Sequence, residues 1–154
     1  MLERETGLSL VLLKEAGAEP ARWTPLSMLA LRLGISRGHA AKLAQRLVAR
    51  GFMATRQGVT GGVMLTAQGR EASFLDVATA LEDPFLSGGC FLSNRSCNLA
   101  TPCHLHEDWL ASRKRLLRSL ARTRVVEPPS AVAASSQAPS DRARRSTDAT
   151  AADE

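Results

Sequence analysis

The sequence predicts a mainly α fold with a small β-hairpin wing: a winged helix-turn-helix plus a long dimerisation helix. Three observations carry that expectation. Aromatic residues are only 4% of the chain and tyrosine is absent, so the core must be built of Leu, Val and Ala, which suits packed helices. Two short amphipathic helical patterns are joined by Leu33-Gly34-Ile35-Ser36, a helix-turn-helix arrangement. A glycine-rich hairpin pattern follows directly after them.

Taken in order, Leu8, Val11, Leu12 and Ala16 fall on one face of a helix over residues 5–16, with Lys14 and Glu15 opposite. Thr24-Pro25 reads as a helix start, a cap followed by proline at the first helical position. Leu26, Leu29, Ala30 and Leu33 then form a stripe that Gly34 ends. Ser36 is a good N-cap for the next helix, in which Ala40, Leu43, Ala44, Leu47 and Val48 share one face and Gly51 is the stop. Phe52–Arg56 and Val63–Thr66 read as strands around the turn Gln57-Gly58-Val59-Thr60-Gly61-Gly62. Ser73 caps a helix that runs to Leu81. A long helix runs from His106 to Arg124, with Leu105, Trp109, Leu110, Leu116, Leu117 and Leu120 forming an apolar band that calls for a homodimer built on this helix, for packing against the winged-helix domain of the same chain, or for both.

The domain organisation follows as residues 1–86 for the winged helix-turn-helix, 87–106 for a cysteine loop, 107–126 for the dimerisation helix and 127–154 for a tail. The tail lacks aromatic and most bulky apolar residues, so it is expected to be disordered. Net charge is +5, unevenly spread: 17 basic against 10 acidic residues up to Val126, three against five after it. A basic body points to a polyanionic partner, nucleic acid before membrane, and the helix-turn-helix narrows this to double-stranded DNA. No apolar run reaches the length of a membrane span and the first residues are not a secretory signal, so a cytoplasmic protein is expected.

The helix over 37–50 contains no acidic residue, and its N-terminal part would meet base edges in a DNA reader. Ser36, Arg37, Gly38, His39, Lys42 and Arg46 are therefore candidate DNA contacts, His39 being equally readable as a plain surface residue. Arg56, Gln57, Thr60 and Gly61 are candidates in the wing, where glycines let backbone approach backbone. No nucleophile–base pair or paired carboxylates are apparent, which argues against an enzyme.

The three cysteines sit together in a Gly-, Ser-, Asn- and Pro-rich stretch, Cys90, Cys97 and Cys103, with His104 and His106 just after. A loop lets three thiolates converge, and thiolates are the ligands of iron–sulfur clusters and of zinc. Three is an odd number for disulfides, which are rare in the cytosol. An iron–sulfur cluster, a structural Cys3His zinc site and a thiol-only redox switch all fit this stretch.

The order of basic winged helix, helix, C-x6-C-x5-C and long apolar helix resembles the Rrf2 family of bacterial iron–sulfur transcription regulators, of IscR and NsrR type. The resemblance covers about residues 6–124. Its most specific parts are the cysteine loop and the Gly61-Gly62-Val63-Met64-Leu65 segment. It implies a homodimeric regulator, most often a repressor, that responds to nitric oxide, redox state or cluster supply. It implies that Cys90, Cys97 and Cys103 bind a two-iron or four-iron cluster. Cys103-x-x-His106-x-x-Trp109 is similar to the cluster-assembly branch, which makes His106 the first candidate for a fourth ligand. Glu5 or Glu3 of a partner chain comes second, and His104 is weaker. The nitric-oxide branch carries an aspartate near the position of Gly7, and the family often has an arginine where this chain has Gln57.

Overall fold

The computed structural model describes residues 2–19, 21–59, 61–88 and 102–127. Among them, α1 (Arg4–Gly17), α2 (Leu26–Leu33), α3 (Arg37–Ala49), β1 (Met53–Arg56), β2 (Gly62–Leu65), α4 (Ala67–Glu71), α5 (Phe74–Ala80) and α6 (His106–Arg122) follow one another. This is the expected mainly helical fold with a hairpin and a long last helix. Cys90, Cys97, Thr60 and the tail beyond Glu127 lie outside the described residues.

One apolar cluster holds the body together. Leu10, Leu12, Leu13 and Ala16 of α1 meet Leu29 of α2, Leu43 and Leu47 of α3, Phe52 and Met53, Val63 and Leu65 of β2, and Val77 of α5. The buried face of α1 differs from the expected one. Val11 is 46% exposed, whereas Ser9 is buried. Ser9 can enter because its hydroxyl donates to the Glu5 carbonyl at 2.8 Å, leaving no unpaired polar group inside.

The helix-turn-helix forms as its sequence signals require. Gly34 sits at φ 64° after α2, a conformation that favours glycine, and Ser36 caps α3 by accepting the His39 amide at 3.2 Å. The start of α2 departs from expectation. Pro25, not Thr24, occupies the cap position, without a side-chain bond. Thr24 is instead paired with β2: its N–H donates to the Val63 carbonyl at 2.8 Å, and its own carbonyl accepts the Val63 N–H at 2.9 Å. A tertiary pairing has overridden a local capping signal.

The hairpin is antiparallel, with Met53 opposite Leu65 and Arg56 opposite Gly62. Thr66, expected to end the second strand, caps the five-residue α4 instead, accepting the Gly69 amide while its hydroxyl donates to the Gly51 carbonyl. Ser73 and Asp76 form a full capping box on α5. After α6 the chain returns to the body. Thr123 O accepts the Phe74 amide, the Val125 amide donates to Ala72 O, Arg124 pairs with Glu71, and Val125 is buried. No helix among the described residues is long and apolar enough to cross a membrane.

Gly62 is the point where the wing docks. Its φ is positive, and a Cβ there would run into the Thr24 carbonyl. Gly62→Ala is expected to cost about 1–3 kcal/mol in a urea unfolding experiment, because strain and a broken Thr24–Val63 pairing act together.

Candidate functional site

Helix α3 is divided lengthwise into three strips. Ala40, Leu43, Ala44 and Leu47 are buried in the core. Gly38, Lys42, Gln45 and Ala49 form the opposite, exposed strip, with Ser36 and Arg37 exposed at its N-terminal end. Among the described residues neither Arg37 nor Lys42 makes an ion pair, so both cations face solvent. Gln45, left out of the sequence-level candidates, belongs to the same strip.

His39, Arg46 and Arg50 make up the third strip, along one flank. Each is engaged by the rest of the chain. The His39 Nε2 lies 2.9 Å from Glu5 Oε1 of α1, Arg46 donates to the Leu81 carbonyl at 3.4 Å, and Arg50 pairs with Glu82 at 3.1 Å. The structure thus divides the candidate DNA contacts. Ser36, Arg37, Gly38 and Lys42 share the open face, while His39 and Arg46 lie at its edge and touch protein.

In the wing, Gln57 and Val59 are exposed and Gly61 donates its amide to the Gly58 carbonyl. Arg56 stacks its guanidinium over the Trp23 indole, 4.9 Å from the ring centre. Trp23, Arg56, Thr24, Met28 and Gly61 line a cavity of about 450 Å³ at the base of the wing. Arg56 is therefore held at the wing's root, beside the start of α2.

The two described ends of the cysteine loop both rest on α6. On the entry side, Arg113 donates from Nη2 to the carbonyls of Phe85 (3.2 Å) and Leu86 (2.6 Å) and lies over the Phe85 ring. Phe85 also meets Trp109 edge to face, with ring centres 6.4 Å apart. On the exit side, the Cys103 carbonyl accepts the His106 amide at 3.0 Å, forming the turn that opens α6. His106 is buried, 6% exposed, and Cys103 is half-buried, whereas His104 is exposed. Cys103 and His106 thus sit on one turn, a soft thiolate donor and an imidazole, which suits a shared metal group. Glu5 is occupied by His39, and the exposed Glu3 donates its backbone amide to Asp83. No group of three or more His, Cys, Asp or Glu donors converges among the described residues.

A model of the Rrf2 family, described as an iron-dependent transcriptional regulator, matches residues 4–127. The chain belongs to the Rrf2 family. It is accordingly a DNA-binding transcription regulator and not an enzyme. Solved structures agree in fold. CymR (YrzC), the global cysteine regulator of B. subtilis, is 19% identical with a TM-score of 0.65, over 81% of this chain and 92% of that one. T. potens IscR is 15% identical with a TM-score of 0.61, over 81% and 82%. A transcriptional regulator from Listeria innocua is 14% identical with a TM-score of 0.64, over 99% and 96%. No curated protein sequence matches the chain.

The entry to the loop is also fixed from the other side. Asp83 is 3% exposed. Burial alone would raise its pKa, but hydrogen bonds from the Thr6 hydroxyl and from the Glu3 and Phe85 amides outweigh burial and hold it below its ordinary 3.8. A carboxylate lowered in this way contributes stability above its ordinary value and loses it as pH falls through the lowered one. Asp83→Asn is expected to unfold at lower urea concentration than wild type at about pH 7. The difference should shrink as acid protonates Asp83, and midpoints measured down to about pH 3 check it.

Proposed function

We propose that this Rrf2 regulator is a homodimeric repressor whose activity follows an iron–sulfur cluster held by Cys90, Cys97 and Cys103. His106 is the favoured fourth ligand, ahead of Glu5 or Glu3 of a partner chain and of His104. The observation that carries this reading is the turn at the head of α6, where the half-buried Cys103 thiol and the buried His106 share one hydrogen-bonded turn. The family description as iron-dependent supports it. When bound, such a cluster would supply a centre reactive toward nitric oxide and redox change.

The protein's own contribution is to hold the loop ends. Arg113, Phe85 and Trp109 fix the entry on the same helix whose opening turn carries Cys103 and His106, which lowers the entropic cost of bringing the thiolates together. The open strip of α3 would enter the major groove, Arg37 and Lys42 reaching bases or phosphates and the wing, through Gln57, Thr60 and Gly61, lying beside it. Arg56, stacked on Trp23, would approach the backbone near the start of α2.

The dimer reading is supported by α6. Leu110 and Leu116 are 44% and 45% exposed, and a groove of about 510 Å³ runs between α5 and α6, lined by Leu75, Leu110, Leu117 and Ala121 together with Arg113, Lys114 and Arg118. Within this reading residues 1–86 bind DNA, 87–106 sense and 107–126 pair the chains.

The test is anaerobic purification followed by an absorption spectrum and iron and sulfide counts. A brown protein with iron and sulfide, whose operator binding changes on nitric-oxide exposure, supports the reading. A colourless protein with one zinc per chain, or metal-free thiols that bind DNA according to oxidation, overturns it. Lys42→Ala is expected to weaken operator binding about tenfold and, if its partner is a phosphate, to flatten the salt dependence by about one unit of slope.

A further inference from the structure

The corner Leu81–Asp83 touches more of the DNA-binding unit than its three residues suggest. It closes α5 with a Schellman motif: the Glu82 amide donates to Thr79 O and the Asp83 amide to Ala78 O, each at 3.0 Å. The motif requires a left-handed residue, usually glycine, after the helix cap. Here that residue is Glu82 at φ 58°, the one non-glycine with positive φ among the described residues. Glutamate disfavours this conformation. Local preference therefore gives no reason for it, but its side chain does something that glycine cannot, reaching Arg50, the residue that caps the end of α3, at 3.1 Å.

The two neighbouring residues act on the same helix. The Leu81 carbonyl accepts from Arg46, one turn before Arg50. Asp83 holds the start of α1 through the Glu3 amide and the Thr6 hydroxyl, and α1 in turn holds His39 through Glu5. Both ends of the flank of α3 thus refer back to this one corner, directly at the C-terminal end and through α1 at the N-terminal end. The same corner leads into the Phe85–Gly88 segment.

We propose that Leu81–Asp83 is the positioning element of the recognition helix, and that Glu82 is a specificity-determining residue that does not itself touch DNA. By engaging Arg50, Glu82 sets the tilt of α3, so that the Gly38–Lys42–Gln45 strip is presented to dock. The proposal rests on the family's DNA binding and not on the cluster. Iron and sulfide counts are untouched by its failure, so the two readings fail separately.

The test uses the full chain, purified anaerobically. A duplex selected by the wild-type chain from a randomised pool is compared with a shuffled duplex, alongside thermal unfolding. Glu82→Gly should melt at or above the wild-type temperature, because glycine suits the left-handed position. Its ratio of selected to shuffled affinity should fall about threefold, the scale of an exposed ion pair. Arg50→Gln should lower the ratio equally, the double variant should lower it no further, and Arg50→Lys should retain most of it. Glu82→Asn, which also tolerates the backbone conformation, should behave as Glu82→Gly. An unchanged ratio in both Glu82 variants overturns the proposal. So do additive losses with Arg50→Gln, or equal tightening on both duplexes, which would mark Glu82 as a plain repeller of DNA.

Discussion

A buried carboxylate must find donors or give up its charge, and Asp83 finds them in three directions. The Thr6 hydroxyl and Glu3 amide come from the first turn of α1, and the Phe85 amide from the segment leading into the cysteine loop. Meeting that one requirement fixes the beginning of the chain against a position some eighty residues later. It ties the helix that contacts α3 to the end of α5. Apolar burial makes the body stable, but a layer of Leu and Val tolerates small slides. A charge with directed hydrogen bonds does not slide without leaving a group unpaired. The polar contacts around Asp83 therefore set geometry as well as adding stability, whereas the core sets stability alone.

The same division of labour explains why α3 carries so many cations and offers only some of them outward. A helix of this length with buried, flanking and open strips can seat its aliphatic residues inside, tie one edge to its neighbours and still present Lys42 and Gln45 to a partner. The wing is built on similar lines. Exchange of backbone hydrogen bonds between Thr24 and Val63 joins the hairpin to the connection before α2, and Arg56 over Trp23 seals that junction. The hairpin, two short strands that would be marginal alone, gains support from an element before it in sequence.

Much of the fold was legible because its signals are local. Ser36, Gly34 and the capping box of Ser73 are short-range devices, and the periodic apolar residues of α2, α3 and α6 needed no partner to be read. The failures have a common cause. Thr24 carries a cap-like signal, yet the backbone of β2, nearly forty residues away, competes for it and wins. Val11 looks like a core residue until the Ser9 hydroxyl is paired and the face turns. Helix α4 is too short for periodicity to register. At the candidate site, the basic character of α3 was readable, but its division into open and tethered strips was not. The contacts that divide it, Glu5 with His39 and Glu82 with Arg50, link residues more than thirty positions apart. Asp83 and Arg113, which hold the loop entry, look like ordinary surface charges in the sequence. Spacing and the family resemblance single out Cys103 and His106, but the hydrogen-bonded turn that joins them is not legible in the sequence.

The return of the chain after α6 has a mechanical consequence. The backbone pairings at Ala72 and Phe74, the Arg124–Glu71 pair and buried Val125 anchor the far end of α6, while Arg113 and Trp109 anchor its near end. A beam fixed at both ends does not swing. Two chains paired through such beams would carry their reading heads at a set pitch, as the jaws of a caliper do. Such a regulator would measure distance along the double helix as strictly as it reads bases, and binding to duplexes whose half-sites are moved apart by single base pairs reports that stiffness directly.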